Sequence, residues 1–188
     1  MTKLKTTARI TGALYLGLAI TGMLGFLTIR PMLYDPADAT ATLSNLMQHD
    51  WLARLGIALE LGIVLTQALV AVAFYRLFRP ADPFAAGAIA GFGLMNAVAI
   101  MASSAFLAAA HHLSAAVVSG VGETTAGTVQ LLYVLSDAAW GGGALFFGLW
   151  LIPMGYAILV SVWMPRLLGH ILIFGGLGYV LSIFVPLL

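Results

Sequence analysis

Cysteine is absent from the 188 residues, which removes disulfides, thiolate catalysis and cysteine-ligated metal or iron–sulfur sites together. Charge is scarce as well: Asp, Glu, Lys and Arg make up 8% of the chain, against about a quarter in soluble domains. A net charge of +1 argues against nucleic acid as a partner. There is no Gly-rich phosphate loop, no GxSxG elbow and no HExxH motif, and no cofactor is implied. No candidate nucleophile stands beside a base, so no catalytic residue is assigned.

What fills the chain instead is apolar, at 62% hydrophobic residues and a mean hydropathy of +1.04. Such a chain is polytopic, with the lipid bilayer as its surroundings. No polar stretch is long enough for a soluble domain. Residues 1–188 therefore read as one all-α transmembrane helical domain.

Lys3, Lys5 and Arg9 precede the apolar run Ile10 to Ile29, which is too long for the ~7–15-residue core of a signal peptide and lacks a small-residue cleavage site. It reads as an uncleaved first span ended by Arg30 and Pro31. In residues 31–50, Asp35-Pro36 has the form of a helix cap with proline in the first turn. Leu43, Leu46 and Met47 then recur at helical spacing, which predicts a short amphipathic helix at the outer membrane face. The second span runs Trp51 to Phe78. Asp82 and Pro83 open the third, Phe84 to about residue 113, where Gly87 and Gly91 have the spacing that lets helices approach closely.

From Thr128 to Trp163 the chain is apolar for too long to make one span of ordinary tilt, and it carries Gly141, Gly142 and Gly143. Either a surface or re-entrant helix near 125–139 leads into one span at about 141–163, or two short spans are squeezed together. With one span there, a fifth follows from Leu167 to Leu188. Lys3, Lys5, Arg9, Arg76, Arg79 and Arg166 then share one side against Arg30 and Arg54 on the other. Cationic segments stay cytoplasmic, so the five-span arrangement predicts a multi-pass cell-membrane protein with its N-terminus inside and its C-terminus outside.

In that arrangement six of the seven acids lie in the outer half: Asp35, Asp38, Asp50, Glu60, Glu123 and Asp137. Glu60 lies inside the second span, where an ionised acid costs about 2.5–3.5 kcal/mol. It should face protein or water, or be protonated. Counting ~1.5 Å per residue places Glu60 and Ser103 at one level, and Gln67 and Asn96 at a deeper one. Glu60 and Gln67 are seven residues apart, as are Asn96 and Ser103, so each pair lies on one stripe of its helix. If the stripes face each other, they form a polar seam opening outward. Arg54 is off that stripe and either snorkels to the interface or pairs with Asp137.

The candidate ligand-binding set is thus Glu60, Gln67, Asn96, Ser103, Asp137 and Arg54. Ser103, Asn96 and Gln67 could equally be interhelical hydrogen-bonding groups worth about 0.6 kcal/mol each. His49, His111 and His112 lie near the outer ends of spans with Asp50 and Glu123, which is suitable chemistry for a zinc-like ion in no recognised ligand spacing. Depth separates His170 from His111 and excludes a haem between them. Trp51, Trp140 and Trp163 fall where interfacial belt residues fall.

The stretches Ala8-Arg9-Ile10-Thr11-Gly12-Ala13-Leu14-Tyr15, Asp35-Pro36, Arg54-Leu55-Gly56 with Leu59-Glu60, and Leu135-Ser136-Asp137 carry a resemblance, as does Phe147 to Tyr156 leading to Pro165-Arg166-Leu167-Leu168-Gly169. On these the chain resembles a bacterial integral-membrane family, domain of unknown function 4386, over nearly its whole length. Relatives of that kind often carry a histidine and an acid where Ser136 and Asn96 stand. The resemblance implies fold and location and supplies no chemistry.

Three functions compete. The chain binds or transports a small amphipathic or cationic molecule at the seam around Glu60, with a homodimer supplying the width that five spans lack. Alternatively it is an intramembrane enzyme on a lipid or quinone-like substrate, with Glu60 or Asp137 as base and Arg54 as anion holder. The third reading is a partner subunit or assembly factor docking through Gly87 and Gly91.

Overall fold

The computed structural model describes residues 2–120, 126–161 and 163–185, with side chains from residue 5 onward, and these are helical with short joints. Lipid-facing backbone has no water to bond, so each amide must be satisfied within its own helix, and this compels the class. α1 spans Thr2–Gly22 and continues through a π-helical stretch, Met23–Ile29, into the short α2, Arg30–Leu33. α3 (Ala39–Gln48), α4 (Asp50–Phe78), α5 (Pro83–Val118), α6 (Ala126–Val160) and α7 (Arg166–Ser182) follow. Among the described residues four helical segments are long and apolar enough to cross a membrane: Lys5–Leu33, α4, α5 and α6. α7, at 17 residues, is shorter but still apolar, at the lower end of the roughly 17–25 residues a span needs. Leu16, Leu27, Leu65, Phe84, Leu167 and Phe174 all lie exposed, an apolar surface that suits acyl chains and not water.

The stretch 128–163 is decided by α6, one unbroken helix through Gly141–Gly143 and Pro153, so neither a separate surface helix nor a second span is cut from it. Three glycines weaken a helix by about 1 kcal/mol each in water, but in lipid the released amides would cost more. Gly143 is also where the fold needs a hydrogen: a Cβ there would lie 3.1 Å from Asn96 Oδ1 and 3.3 Å from Ala99 Cβ.

The cap before α3 falls on Asp38, whose carboxylate accepts from the amides of Thr40 and Ala41. Asp35 instead turns the chain, its Oδ1 accepting from Ala37 N at 2.9 Å while Thr42 Oγ1 holds its backbone. Thr42 and Leu46 are the buried positions of α3; Met47 is exposed.

By contacts the chain forms two compact units. The first comprises Met1–Gly17, Leu65–Ala99 and Gly141–Leu188. Its centre is the fully buried Trp150, ringed by Tyr15, Phe74 and Phe147 at 5.5–6.0 Å between centroids. Here α6 and α7 pack backbone to backbone through glycines seven apart: a Cβ on Gly148 would lie 2.8 Å from Gly176 O, and one on Gly169 2.8 Å from Gly155 O. The close approach is made there and not at Gly87 and Gly91, where an added Cβ meets nothing within 4 Å. Trp163, expected at the interface, stacks on Phe78 at 5.8 Å.

The second unit comprises Leu18–Val64 and Ile100–Trp140. Its apolar core joins Ile29, Leu33 and Leu46 to Leu52, Leu107 and Val129. Gln130 Nε2 ties α6 to the turn before α3 by donating to the carbonyls of Asp35 at 3.0 Å and Pro36 at 3.1 Å.

Candidate functional site: an arginine between two acids

The site lies in the second unit and begins with a change of helical register. Pro31 has no amide to offer and its ring crowds the carbonyl four residues back. The helix ahead of it is widened: Arg30 N–H bonds to Gly25 O, a step of five residues. Each residue added to a turn rotates the residues beyond it by roughly 100°, and here the rotation carries Arg30 into the interior. Gly25 and Gly56 let this wide stretch lie against α4, since a Cβ on either would stand 3.2–3.3 Å from Leu59 Cβ or Ile29 Cγ2.

Arg30 meets two carboxylates. Its Nη2 pairs with Asp137 Oδ1 at 2.6 Å, and its Nη1 lies 3.6 Å from Glu60 Oε1. The side chains of Arg30 and Glu60 are 9% and 5% exposed, whereas that of Asp137 is 45% exposed and forms the open edge. A chain of hydroxyls joins the charges. Arg30 Nη1 donates to Ser136 Oγ at 3.0 Å, Ser136 and Ser103 share a 2.7 Å bond, and Ser103 Oγ donates to Glu60 Oε2 at 3.0 Å. Because arginine can only donate, the Ser136 proton turns to Ser103 and that of Ser103 to Glu60, so every dipole runs from cation to anion. Trp140 Nε1 completes the set by donating to Glu60 Oε1 at 3.1 Å.

Three rings enclose the guanidinium: Phe26, Tyr34 and Tyr133 have centroids 5.6, 5.7 and 5.5 Å from Arg30 Cζ. Tyr34 and Tyr133 stack on each other at 4.8 Å, and Phe26 lies 4.8 Å from Trp140. Burial first, then the charge of Asp137, pushes the Tyr34 phenol above its ordinary pKa, with Arg30 opposing, so it stays protonated at neutral pH. A cavity of about 20 Å³ adjoins the cluster, walled by Arg30, Glu60, Tyr133, His111 and Gly56. That is room for about one water.

Of the residues singled out from sequence, Glu60, Ser103 and Asp137 belong to this cluster. Arg54 does not: it pairs with Asp50, four residues back on its own helix, at 2.9 Å with its side chain 69% exposed. Of the two places open to Arg54 it takes the exposed rim, and Arg30 stands at Asp137 instead, because the widened turn brings it inward. Gln67 and Asn96 are buried in the first unit, where Gln67 Nε2 donates to Gly93 O at 3.4 Å.

His111 bonds Asp50 at 2.7 Å, His49 turns back to Asn45 O at the end of α3, and His112 is exposed. Among the described residues no three His, Cys, Asp or Glu converge as a metal site would need, and Glu123 lies outside them. Trp140, expected as a belt residue, is a ligand of Glu60. Sequence reasoning also missed Ser136 and the rings. The available signal was an arginine inside an apolar run with aromatics four residues to either side, at Phe26 and Tyr34.

No curated protein and no solved structure matches the chain. The family described as domain of unknown function (DUF4386) matches residues 10–188, and the protein belongs to that family.

Proposed function

We propose that this membrane protein binds a small cationic molecule at the Glu60 cluster and carries it across the bilayer. The observation behind this is a charge imbalance. Two carboxylates, Glu60 and Asp137, face one guanidinium, so the cluster carries a net negative charge that draws cations to its open edge. The excess of acid attracts a cation, beside the guanidinium or in its place, and the half-exposed Asp137 is its way in.

Charge along the chain supports an outward-facing site. With Arg30 drawn into the cluster, Lys3, Lys5, Arg9, Arg76, Arg79 and Arg166 stand against Arg54 alone, which favours a cytoplasmic N-terminus and an external C-terminus. Five helices make a narrow bundle, so passage across the bilayer calls for a homodimer. An enzymatic reading has less to rest on, because Ser103 is fully buried and spent on Glu60 and Ser136.

The test is thermal unfolding of the protein in lipid nanodiscs against lipophilic cations, with tetraphenylphosphonium and tetramethylammonium as probes. Saturable stabilisation that disappears in Glu60→Gln and weakens in Asp137→Asn is the expected result. Equal shifts in all three proteins, or none in wild type, reject the proposal.

A further inference from the structure

The cluster already holds a cation of defined shape, and its construction is specific to that shape. The ring centroids of Phe26, Tyr34 and Tyr133 lie 5.5–5.7 Å from the guanidinium carbon. In the guanidinium plane stand the acceptors: Asp137 Oδ1 at 2.6 Å, Ser136 Oγ at 3.0 Å and Tyr133 O at 3.4 Å. Rings around it and acceptors at the edge suit a flat, delocalised cation, whose charge is weakly hydrated and whose N–H groups all lie in one plane. A metal ion makes little use of the rings, and a quaternary ammonium has no donors for the edge.

Arg30 also sits where the helical register changes. It is the first residue of the four-residue α2, between the π-helical Met23–Ile29 and the extended Tyr34. Narrowing the π stretch to α-helical register takes out the surplus residue per turn and swings Arg30 by roughly 100°. That movement carries Arg30 and Tyr34 out together and leaves both acids facing a vacancy beside Phe26 and Tyr133.

We propose that the natural ligand is a planar organic cation of the guanidinium or amidinium class, and that Arg30 is a tethered competitor for its place. This deepens the cationic reading above and rests on it. Binding of the external cation displaces Arg30, so the site keeps the same charge count whether the tether or the ligand occupies it. In the unliganded protein the tether holds the cage closed.

The experiment uses the whole protein in nanodiscs, with benzamidinium and tetramethylammonium compared at equal ionic strength. Benzamidinium is expected to give a saturable melting shift in wild type that Glu60→Gln abolishes, with tetramethylammonium at least tenfold weaker. Arg30→Ala removes the competitor, and because opening the cage unpairs the buried Glu60, benzamidinium then binds at least about a hundredfold tighter. Phe26→Leu deletes one wall of the cage and lowers benzamidinium affinity about fivefold, an outcome readable even if Arg30→Ala does not fold. Equal benzamidinium affinity in wild type and Arg30→Ala overturns the competitor role. A Glu60-dependent shift with tetramethylammonium equal to or larger than that with benzamidinium overturns the planar class while the cationic site stands. No shift with either probe overturns both.

Discussion

Replacing Arg30 by Met keeps the length of the side chain and removes the charge that holds Glu60. At the observed 3.6 Å, the attraction between the two charges is about 4.6 kcal/mol for an effective dielectric of about 20. Asp137 is closer, at 2.6 Å, but its side chain is 45% exposed, so water screens that pair and its share is at most about 1 kcal/mol. Removing one partner of a buried pair costs about 3–5 kcal/mol because the other charge stays buried alone. Arg30→Met is therefore expected to destabilise by about that amount. Glu60→Gln alone should cost less, since Arg30 retains Asp137. The double variant should recover part of the loss, with a coupling of about 2–4 kcal/mol. Wild type, both single variants and the double variant would be compared by reversible unfolding in mixed micelles. A coupling under about 0.5 kcal/mol would mean that the two groups do not sense each other, and the charge-balance argument would fail with it.

Gly155→Ala would drive a methyl to 2.5 Å from Gly169 O and should cost about 1–3 kcal/mol in thermal stability. Gly87→Ala, with nothing within 4 Å, should stay within about 0.5 kcal/mol of wild type; equal losses would refute the assignment of the close helix contact. Trp140→Phe keeps a ring beside Phe26 but loses the donor to Glu60, so unfolding should become easier by about 1 kcal/mol, and by much less when Glu60 is already Gln. Asp38→Ala removes the acceptor of the Thr40 and Ala41 amides at about 1 kcal/mol. Amide exchange should speed up in α3 while the middle of α4 is unaffected.

The depth of the site is legible from helical rise, and its cation is not. Counting that rise put Glu60 and Ser103 at one level, and the two side chains meet at 3.0 Å. The count is safe within unbroken α-helices such as α4 and α5. It fails for Arg30, because the step of five residues at Gly25–Arg30 changes which face the arginine takes, and residue types do not announce hydrogen-bond register. Arg54 was the more conspicuous cation beside Glu60 in the sequence, but Asp50 stands four residues before it and holds it at the rim.

Small-residue spacing was similarly ambiguous. Gly87 and Gly91 have the spacing of a contact face and make none, whereas Gly148, Gly155, Gly169 and Gly176 carry the crossing of α6 and α7. A glycine permits close approach, but only the neighbouring helix decides whether the approach occurs.

Composition alone determined that this chain is helical and lives in lipid, because 62% hydrophobic residues leave the backbone no partner but itself. It also determined that Glu60 would need company, because a lone charge in oil is too costly. Which company it keeps was decided by tertiary structure. Arg30, Ser136, Asp137 and Trp140 come from segments 30 to 80 residues away in sequence, and no local pattern specifies which side chains meet once helices pack.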